Sequence, residues 1–279
     1  MNYLLADLGG TNLAIGLCDA EGNPIGKALS IPTQAHLPKE ALLEHLCGHL
    51  YTVAQSSAAP VCALLMGIPT KEENGVLAVC DNLPTLVGTP FRAELTARLG
   101  LPVHLTGDAL CYAMGAYKRL GCEGNALTVT LGTGVGVAWI LNGKPFLGNG
   151  FTGEVWRAPY AGVQLEDVIS TRGLLEELQT PSVKEGAALA ASGDSHALAA
   201  FEHYGHALGT LLCYGVGLMD PHCIVLGGGI AKAFPLFENE VRTLLRKHSM
   251  RGDVPIKICS DPDGWTPLLG AYWIMATDA

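Results

Sequence analysis

Short apolar runs separated by glycine-rich breaks open the chain. Residues 3–7 form one such run, cut off by Gly9-Gly10-Thr11, which predicts a strand ending in a tight turn. A second run over 13–19 and a third over 24–31 are joined by Glu21-Gly22-Asn23-Pro24, a turn by composition. From 39 to 55 the spacing changes. Leu42, Leu43, Leu46, Leu50 and Val53 recur every three or four positions, which predicts a helix with one buried face. A buried strand is expected over 61–67, a helix over 90–99 stopped by Gly100, and a strand over 103–105 leading through Asp108 into a helix that ends near 119.

The pattern then repeats. An apolar run over 127–131 is broken by Gly132-Thr133-Gly134 and resumes over 135–141; Asn142-Gly143 makes a hairpin turn before a third strand over 144–147. Helices are expected over 164–178, 183–191, 195–218 and 234–248, strands over 223–226 and 256–260, and a closing helix over 266–276. Strand, glycine–threonine turn, strand, tight turn and strand thus occur twice, near residue 10 and near residue 133. Such a repeat predicts an α/β fold of two related lobes that face each other across a cleft, each offering it a glycine hairpin. The expected division is an N-terminal lobe over 1–109, with the closing segment 266–279 packing back on it, and a C-terminal lobe over 110–265.

Composition narrows the function classes. Of 279 residues, 49% are hydrophobic and only 15% charged, enough to bury a large core. The net charge of −9 argues against a broad nucleic-acid or anionic-membrane surface, while leaving room for a small anion held by backbone amides. Nine cysteines lie scattered, with no Cys-x-x-Cys pair, mostly within apolar runs; they read as core residues of a reducing compartment. No apolar stretch is long enough for a membrane span. A cytoplasmic protein is expected.

The chemistry should lie at the glycine turns. Gly9, Gly10 and Thr11 let backbone amides and one hydroxyl reach a phosphate, and Asp7 at the end of the preceding strand is placed to hold Mg²⁺, directly or through water. Gly132, Thr133, Gly134 and Gly136 offer the same chemistry from the repeat. Gly227-Gly228-Gly229 follows a buried strand and precedes a helix, a suitable place for a nucleotide. A dinucleotide-binding unit competes for this last cluster, with Asp261 as its acidic residue. Lys232 stands where that motif needs a small residue, however, and too little chain follows Asp261.

Taken in order, Asp7-Leu8-Gly9-Gly10-Thr11-Asn12, Gly67-Ile68-Pro69, Asn82-Leu83-Pro84, Leu131-Gly132-Thr133-Gly134-Val135-Gly136, and Asp220-Pro221 with Val225-Leu226-Gly227-Gly228-Gly229 resemble the signature of the ROK family (repressors, open reading frames and kinases) across nearly the whole chain. The resemblance implies a sugar kinase with two ribonuclease-H-like lobes of the actin-like ATPase type, using ATP and Mg²⁺ and assembling as a homodimer. It implies that Asp7, Gly9, Gly10, Thr11, Asn12, Gly132, Thr133 and Gly134 hold phosphates and that Gly227, Gly228 and Gly229 lie near the adenosine. It assigns Asp108 as the base that takes the proton of the phosphorylated sugar hydroxyl. Gly67, Asn82, Gly107, Glu154 and Glu166 would line the sugar, with Arg157 close by.

Three departures qualify the resemblance. Glu154-Val155-Trp156-Arg157 puts Arg157 where the family has a zinc-binding histidine, and the following loop has no cysteine, so no structural zinc is expected and packing of Trp156 and Tyr160 must order the loop instead. Gly107-Asp108-Ala109-Leu110 keeps the aspartate but not the amides that flank it in the family. Arg157 adds a cation beside the expected sugar pocket, whose plainest reading is a surface ion pair. Some ROK proteins are DNA-binding repressors; an acidic chain with no helix-turn-helix segment before its first strand does not fit that role. The expected substrate is a small sugar, either a hexose taken at its 6-hydroxyl or an N-acetylhexosamine. A sugar-binding protein with weakened catalysis is the remaining alternative.

Overall fold

The structure, a computed structural model, describes residues 1–149 and 152–278, so the last position of the expected closing segment lies outside it. Its contacts divide the chain into two compact units: Met1–Lys118 with Asp261–Ala279, and Arg119–Ser260.

The first unit is built on a five-stranded sheet. Strands β1 (Asn2–Leu8), β2 (Asn12–Asp19) and β3 (Pro24–Pro32) form an antiparallel meander. After helix α1 (Lys39–Gln55), strand β4 (Val61–Ile68) joins β1 in parallel. A small ladder of β5 (Glu72–Glu73) and β6 (Val76–Leu77), then helix α2 (Phe91–Leu99), precede β7 (Val103–Gly107), which joins β4 in parallel. The order is β3-β2-β1-β4-β7. Leu4, Leu5 and Ala6 of β1 are all fully buried, as expected for a central strand covered on both faces.

Helix α3 (Asp108–Arg119) follows β7 directly, and the last helix, α9 (Thr266–Asp278), crosses it at two glycines. A Cβ at Gly115 would stand 1.8 Å from the Thr266 carbonyl oxygen, and one at Gly270 1.7 Å from that of Cys111. No side chain fits at either position, so the helix backbones touch. The contact ties α3 to α9 within the first unit, whose first segment runs to Lys118.

The second unit repeats the plan. Strands β8 (Ala126–Leu131), β9 (Val135–Leu141) and β10 (Lys144–Pro145) form the meander. The hairpin of β11 (Pro159–Tyr160) and β12 (Val163–Gln164) leads into helices α4 (Leu165–Ile169), α5 (Thr171–Leu178), α6 (Val183–Ala191) and α7 (Ser195–Met219). Strand β13 (Cys223–Gly227), helix α8 (Glu238–His248) and strand β14 (Ile256–Ile258) complete it. Both β8–β13 and β13–β14 are parallel, and the order is β10-β9-β8-β13-β14, the same as in the first sheet. One face packs on α7, whose Phe201, Tyr204, Leu208, Leu211 and Leu212 are fully buried.

Two predicted helices are each interrupted. The one expected over 164–178 breaks at Ser170, whose extended backbone ends α4 and whose hydroxyl accepts the Gly173 N–H to start α5. The one expected over 234–248 begins as a 3₁₀ helix, Ile230–Leu236, containing Pro235; α8 starts only at Glu238.

Candidate active site

In the first unit, parallel pairing brings the functional residues to one edge of the sheet. Asp7 on β1 is opposite Gly67 on β4, and Gly67 and Ile68 are opposite Thr106 and Gly107 on β7. The C-terminal ends of three strands therefore stand side by side, with Asp108 next in sequence as the first residue of α3. Gly67 has to be a glycine: a Cβ there would lie 2.9 Å from Asp7 Oδ1, 3.1 Å from Cys111 Sγ and 3.3 Å from the Asp108 Cα.

The turn between β1 and β2 is closed by the Gly9 N–H donating to the Asn12 carbonyl at 2.9 Å. Thr33, fully buried, donates its hydroxyl to the Gly9 carbonyl (2.7 Å) and its N–H to the Thr11 carbonyl (2.9 Å). Thr11 and Asn12 themselves remain exposed. Gly10 touches the next loop, since a Cβ on it would stand 2.8 Å from the Cβ of Asn82. No local pattern marks Thr33, an isolated threonine after a strand.

Electrostatics single out two carboxyls here. Burial, then the charges of Asp108 and Asp261, push Asp7 up to about 8, and its Oδ1 is enclosed without a hydrogen bond. Burial pushes Asp108 up to about 6, against the opposing pull of the Ala109 N–H, 2.6 Å from its Oδ1, and of its own N–H. Cys111, a buried neutral thiol, packs against both acids. An enclosed carboxylate oxygen without a donor fits a cation. Among the described residues no group of three or more His, Cys, Asp or Glu is arranged to hold a metal, so a Mg²⁺ at Asp7 would draw most of its ligands from water and phosphate. Asp261 accepts the Thr266 N–H at 3.1 Å at the start of α9. It thus belongs to the first unit beside Asp7, and not to a dinucleotide fold built on β13.

The second unit gathers its own set. Gly227 is opposite Thr130 in the β8–β13 pair, so the glycine clusters after the two strands are neighbours. Gly228, at φ +85°, sits so close to β8 that a Cβ would lie 2.2 Å from the Leu131 carbonyl oxygen. The Gly132 N–H donates to the Gly134 carbonyl at 3.1 Å, and the Gly132 carbonyl accepts the first N–H of α5, from Thr171, at 2.8 Å. Thr133 and Gly134 at the tip are exposed. Glu166 Oε1 accepts the Val135 N–H at 2.9 Å, so this acid, expected only at the sugar, also braces the turn.

Glu154 and Arg157 share a 3₁₀ turn, both exposed. They pair at 3.6 Å, and the Arg157 guanidinium lies 4.6 Å from the centre of the Trp156 ring. Between this turn and Glu166 comes the β11–β12 hairpin, fastened to α7. The Tyr160 hydroxyl is 2.9 Å from His206 Nδ1, its ring stacks on His203, and His203 Nδ1 pairs with Glu177 on α5 at 2.8 Å. The sequence singled out Trp156 and Tyr160 as loop packing, but nothing in it pointed to His203 and His206 as the partners of Tyr160. On α1, the His45 and His49 rings lie edge to face at 4.8 Å, and His45 Nε2 is 2.9 Å from the Pro32 carbonyl oxygen. Among the described residues no helix is long and apolar enough to cross a membrane.

Known proteins resemble the chain along its full length. N-acetyl-D-glucosamine kinase of Escherichia coli strain K12 is 29% identical over 281 residues, covering 88% of this chain and 89% of that protein. The ROK hexokinase of Thermus thermophilus superposes with a TM-score of 0.81 at 25% identity, covering 100% of both chains. A ROK family glucokinase from Streptomyces griseus, solved with glucose and AMPPNP, superposes at 0.80 over 97% of this chain and 98% of that one; at 21% identity it speaks for the fold alone, that of the actin-like sugar kinases. The ROK family model matches residues 3–277, and the chain belongs to the ROK family.

Proposed function

We propose that the chain transfers the γ-phosphoryl group of ATP to the 6-hydroxyl of a hexose, with Asp108 as the general base. The reading rests above all on the strand ends that hold Asp7, Gly67 and Asp108 together, with Asp108 pushed to about 6 at the start of a helix. A sugar hydroxyl gives up its proton only to a base within hydrogen-bond reach. A carboxyl of that value is ionised at neutral pH yet more basic than an ordinary aspartate, which suits the task.

Each remaining residue takes a part that its surroundings favour. Thr11, the amides of the 9–12 turn and those of the 132–134 turn would contact phosphate oxygens, and Gly227 to Gly229 would lie near the adenosine. Asn82, Glu154 and Glu166 offer the planar acceptors and amides that sugar hydroxyls need. Arg157 is engaged with Glu154 and Trp156, so it would orient Glu154 rather than bind substrate alone. Mg²⁺ at Asp7 would supply neutralising charge to the β- and γ-phosphates.

A second reading, an N-acetylhexosamine as substrate, draws support from the N-acetyl-D-glucosamine kinase that resembles 88% of the chain. The deciding experiment is a coupled ADP-release assay with Mg-ATP against glucose, other hexoses and N-acetylhexosamines, with Asp108→Asn as control. Sugar-dependent turnover that the control abolishes supports the kinase and names its sugar. Sugars that raise the melting temperature without turnover would overturn it in favour of a binding protein.

A further inference from the structure

At the edge of the second sheet far from the glycine turns, three chemically active side chains meet. Cys122 lies in the loop before β8, Cys223 is the first residue of β13, and each thiol acts on the titration of the other. Lys257 on β14 stands opposite Val225. Cys223, two residues before Val225, shares that face of the sheet. The Lys257 ammonium lies 3.7 Å from Cys122 Sγ and donates to the Leu120 carbonyl at 3.2 Å. Both sulfurs are free thiols, 8% and 5% exposed. Four residues of strand, about 13 Å, separate Cys223 from Gly227, so the cluster is no part of the phosphate turns.

We propose that Cys122 and Cys223 form a peroxide-reactive dithiol, in which Lys257 stabilises the attacking Cys122 thiolate and Cys223 closes a disulfide with it. Three observations agree. An ammonium beside a sulfur favours its thiolate, the reactive form. Cys122 is the sulfur that the Lys257 ammonium reaches, at 3.7 Å, which makes it the attacking sulfur and leaves Cys223 as the resolving one. The other cysteines whose values move, among them Cys18, Cys80 and Cys111, are all pushed up by burial, so they resist the same reaction.

The steps balance. The Cys122 thiolate attacks one oxygen of a hydroperoxide; an S–O bond forms as the O–O bond breaks, and the alkoxide leaves as an alcohol after taking a proton from solvent. The Cys223 sulfur then displaces the sulfenic oxygen as water, forming the S–S bond. Two thiols lose two electrons and two protons, and the hydroperoxide becomes alcohol and water. Cys223 faces Ala126 across an existing strand pair, so the bond would staple neighbours that are already in register.

The test treats the folded full-length protein with substoichiometric hydrogen peroxide, quenches with an alkylating agent and maps the unreduced digest. The expected product is a linked Cys122–Cys223 peptide that dithiothreitol releases. In Cys223→Ser the reaction should stop at a Cys122 sulfenic acid, trapped by a dimedone-type probe, and in Lys257→Met labelling should slow several-fold. A folded protein oxidised first at Cys62 or Cys213, which are less buried, would overturn the proposal, as would Lys257→Met reacting as fast as the parent. Circular dichroism of each variant, with Cys122→Ala as a second probe, separates loss of reactivity from loss of fold.

Discussion

The Glu166 carboxylate accepts the Val135 backbone N–H at 2.9 Å, which fastens α4 to the glycine turn between β8 and β9. An acid at the expected sugar site is thereby tied to the expected phosphate site. Removing the acceptor leaves a backbone donor without its partner and loosens the 132–134 turn; a lost charged hydrogen bond costs about 1.5–3 kcal/mol. Glu166→Ala should therefore raise KM for Mg-ATP about tenfold as well as KM for the sugar. Glu166→Gln keeps an oxygen for the Val135 N–H and should hold KM for ATP within about threefold. Steady-state kinetics on both substrates separate the two effects. A normal ATP KM in Glu166→Ala would confine the residue to the sugar.

If Asp108 is the general base proposed above, it sets the acid limb of the pH profile. With burial pushing it up to about 6, the carboxyl is protonated and unable to accept below that pH, and ionised above it. At saturating Mg-ATP, kcat/KM for the sugar should fall tenfold per unit below about pH 6 and level off above. An ordinary aspartate would place the break near 3.8. Asp108→Asn should lower kcat about 10³-fold, in the range of a lost general base. A profile that stays flat to pH 4.5 would remove Asp108 from that role.

If Asp7 holds Mg²⁺ as proposed above, it exchanges stability for binding. Its carboxyl is pushed up to about 8 when folded, so between about pH 4 and 8 the folded chain keeps a proton that the unfolded chain gives up. Stability therefore falls as pH rises through this window, and the penalty is complete only above about 8. Asp7→Asn removes a penalty on the order of 2–5 kcal/mol and should raise the ligand-free melting temperature at pH 8 by roughly 5–10 °C, with about a quarter of that gain at pH 5. The same variant should lose turnover and the stabilisation that Mg-ATP gives the parent. Calorimetry at both pH values measures this, and a variant less stable than the parent at pH 8 would contradict it.

The repeat was legible because each copy carries its own punctuation: Gly9-Gly10-Thr11 and Gly132-Thr133-Gly134 mark equivalent turns, and the apolar runs around them became the two sheets of matching order. The place of Asp108 between a strand and a helix was legible in the spacing; its proposed role came only with the resemblance to the ROK family. The residues that hold the site together were not. Thr33, Cys111, Asp261 and Tyr160's partner His206 act through contacts between elements, and neither local spacing nor hydropathy encodes which loop meets which helix. The interruption at Ser170 was hidden for a related reason. A serine is tolerated within an apolar helical stripe, and only the cap it gives to Gly173 reveals the break.

Tyr160 ties the β11–β12 hairpin to α7, and that hairpin connects Glu154 to Glu166. Its hydroxyl meets His206 Nδ1 at 2.9 Å, while its ring lies on His203, which Glu177 holds. If this contact orders the loop in place of a metal, Tyr160→Phe loses one partly exposed hydrogen bond, about 0.5–1.5 kcal/mol, and keeps the ring packing. KM for the sugar should rise about two- to tenfold with kcat nearly unchanged. His206→Ala should do the same, and the double variant should be no worse than either single one, because both remove one bond. A strong zinc chelator should leave the parent's sugar KM where it was. Additive losses in the double variant would show that the two residues act separately, and a chelator-sensitive KM would show that a metal, not Tyr160, holds the loop.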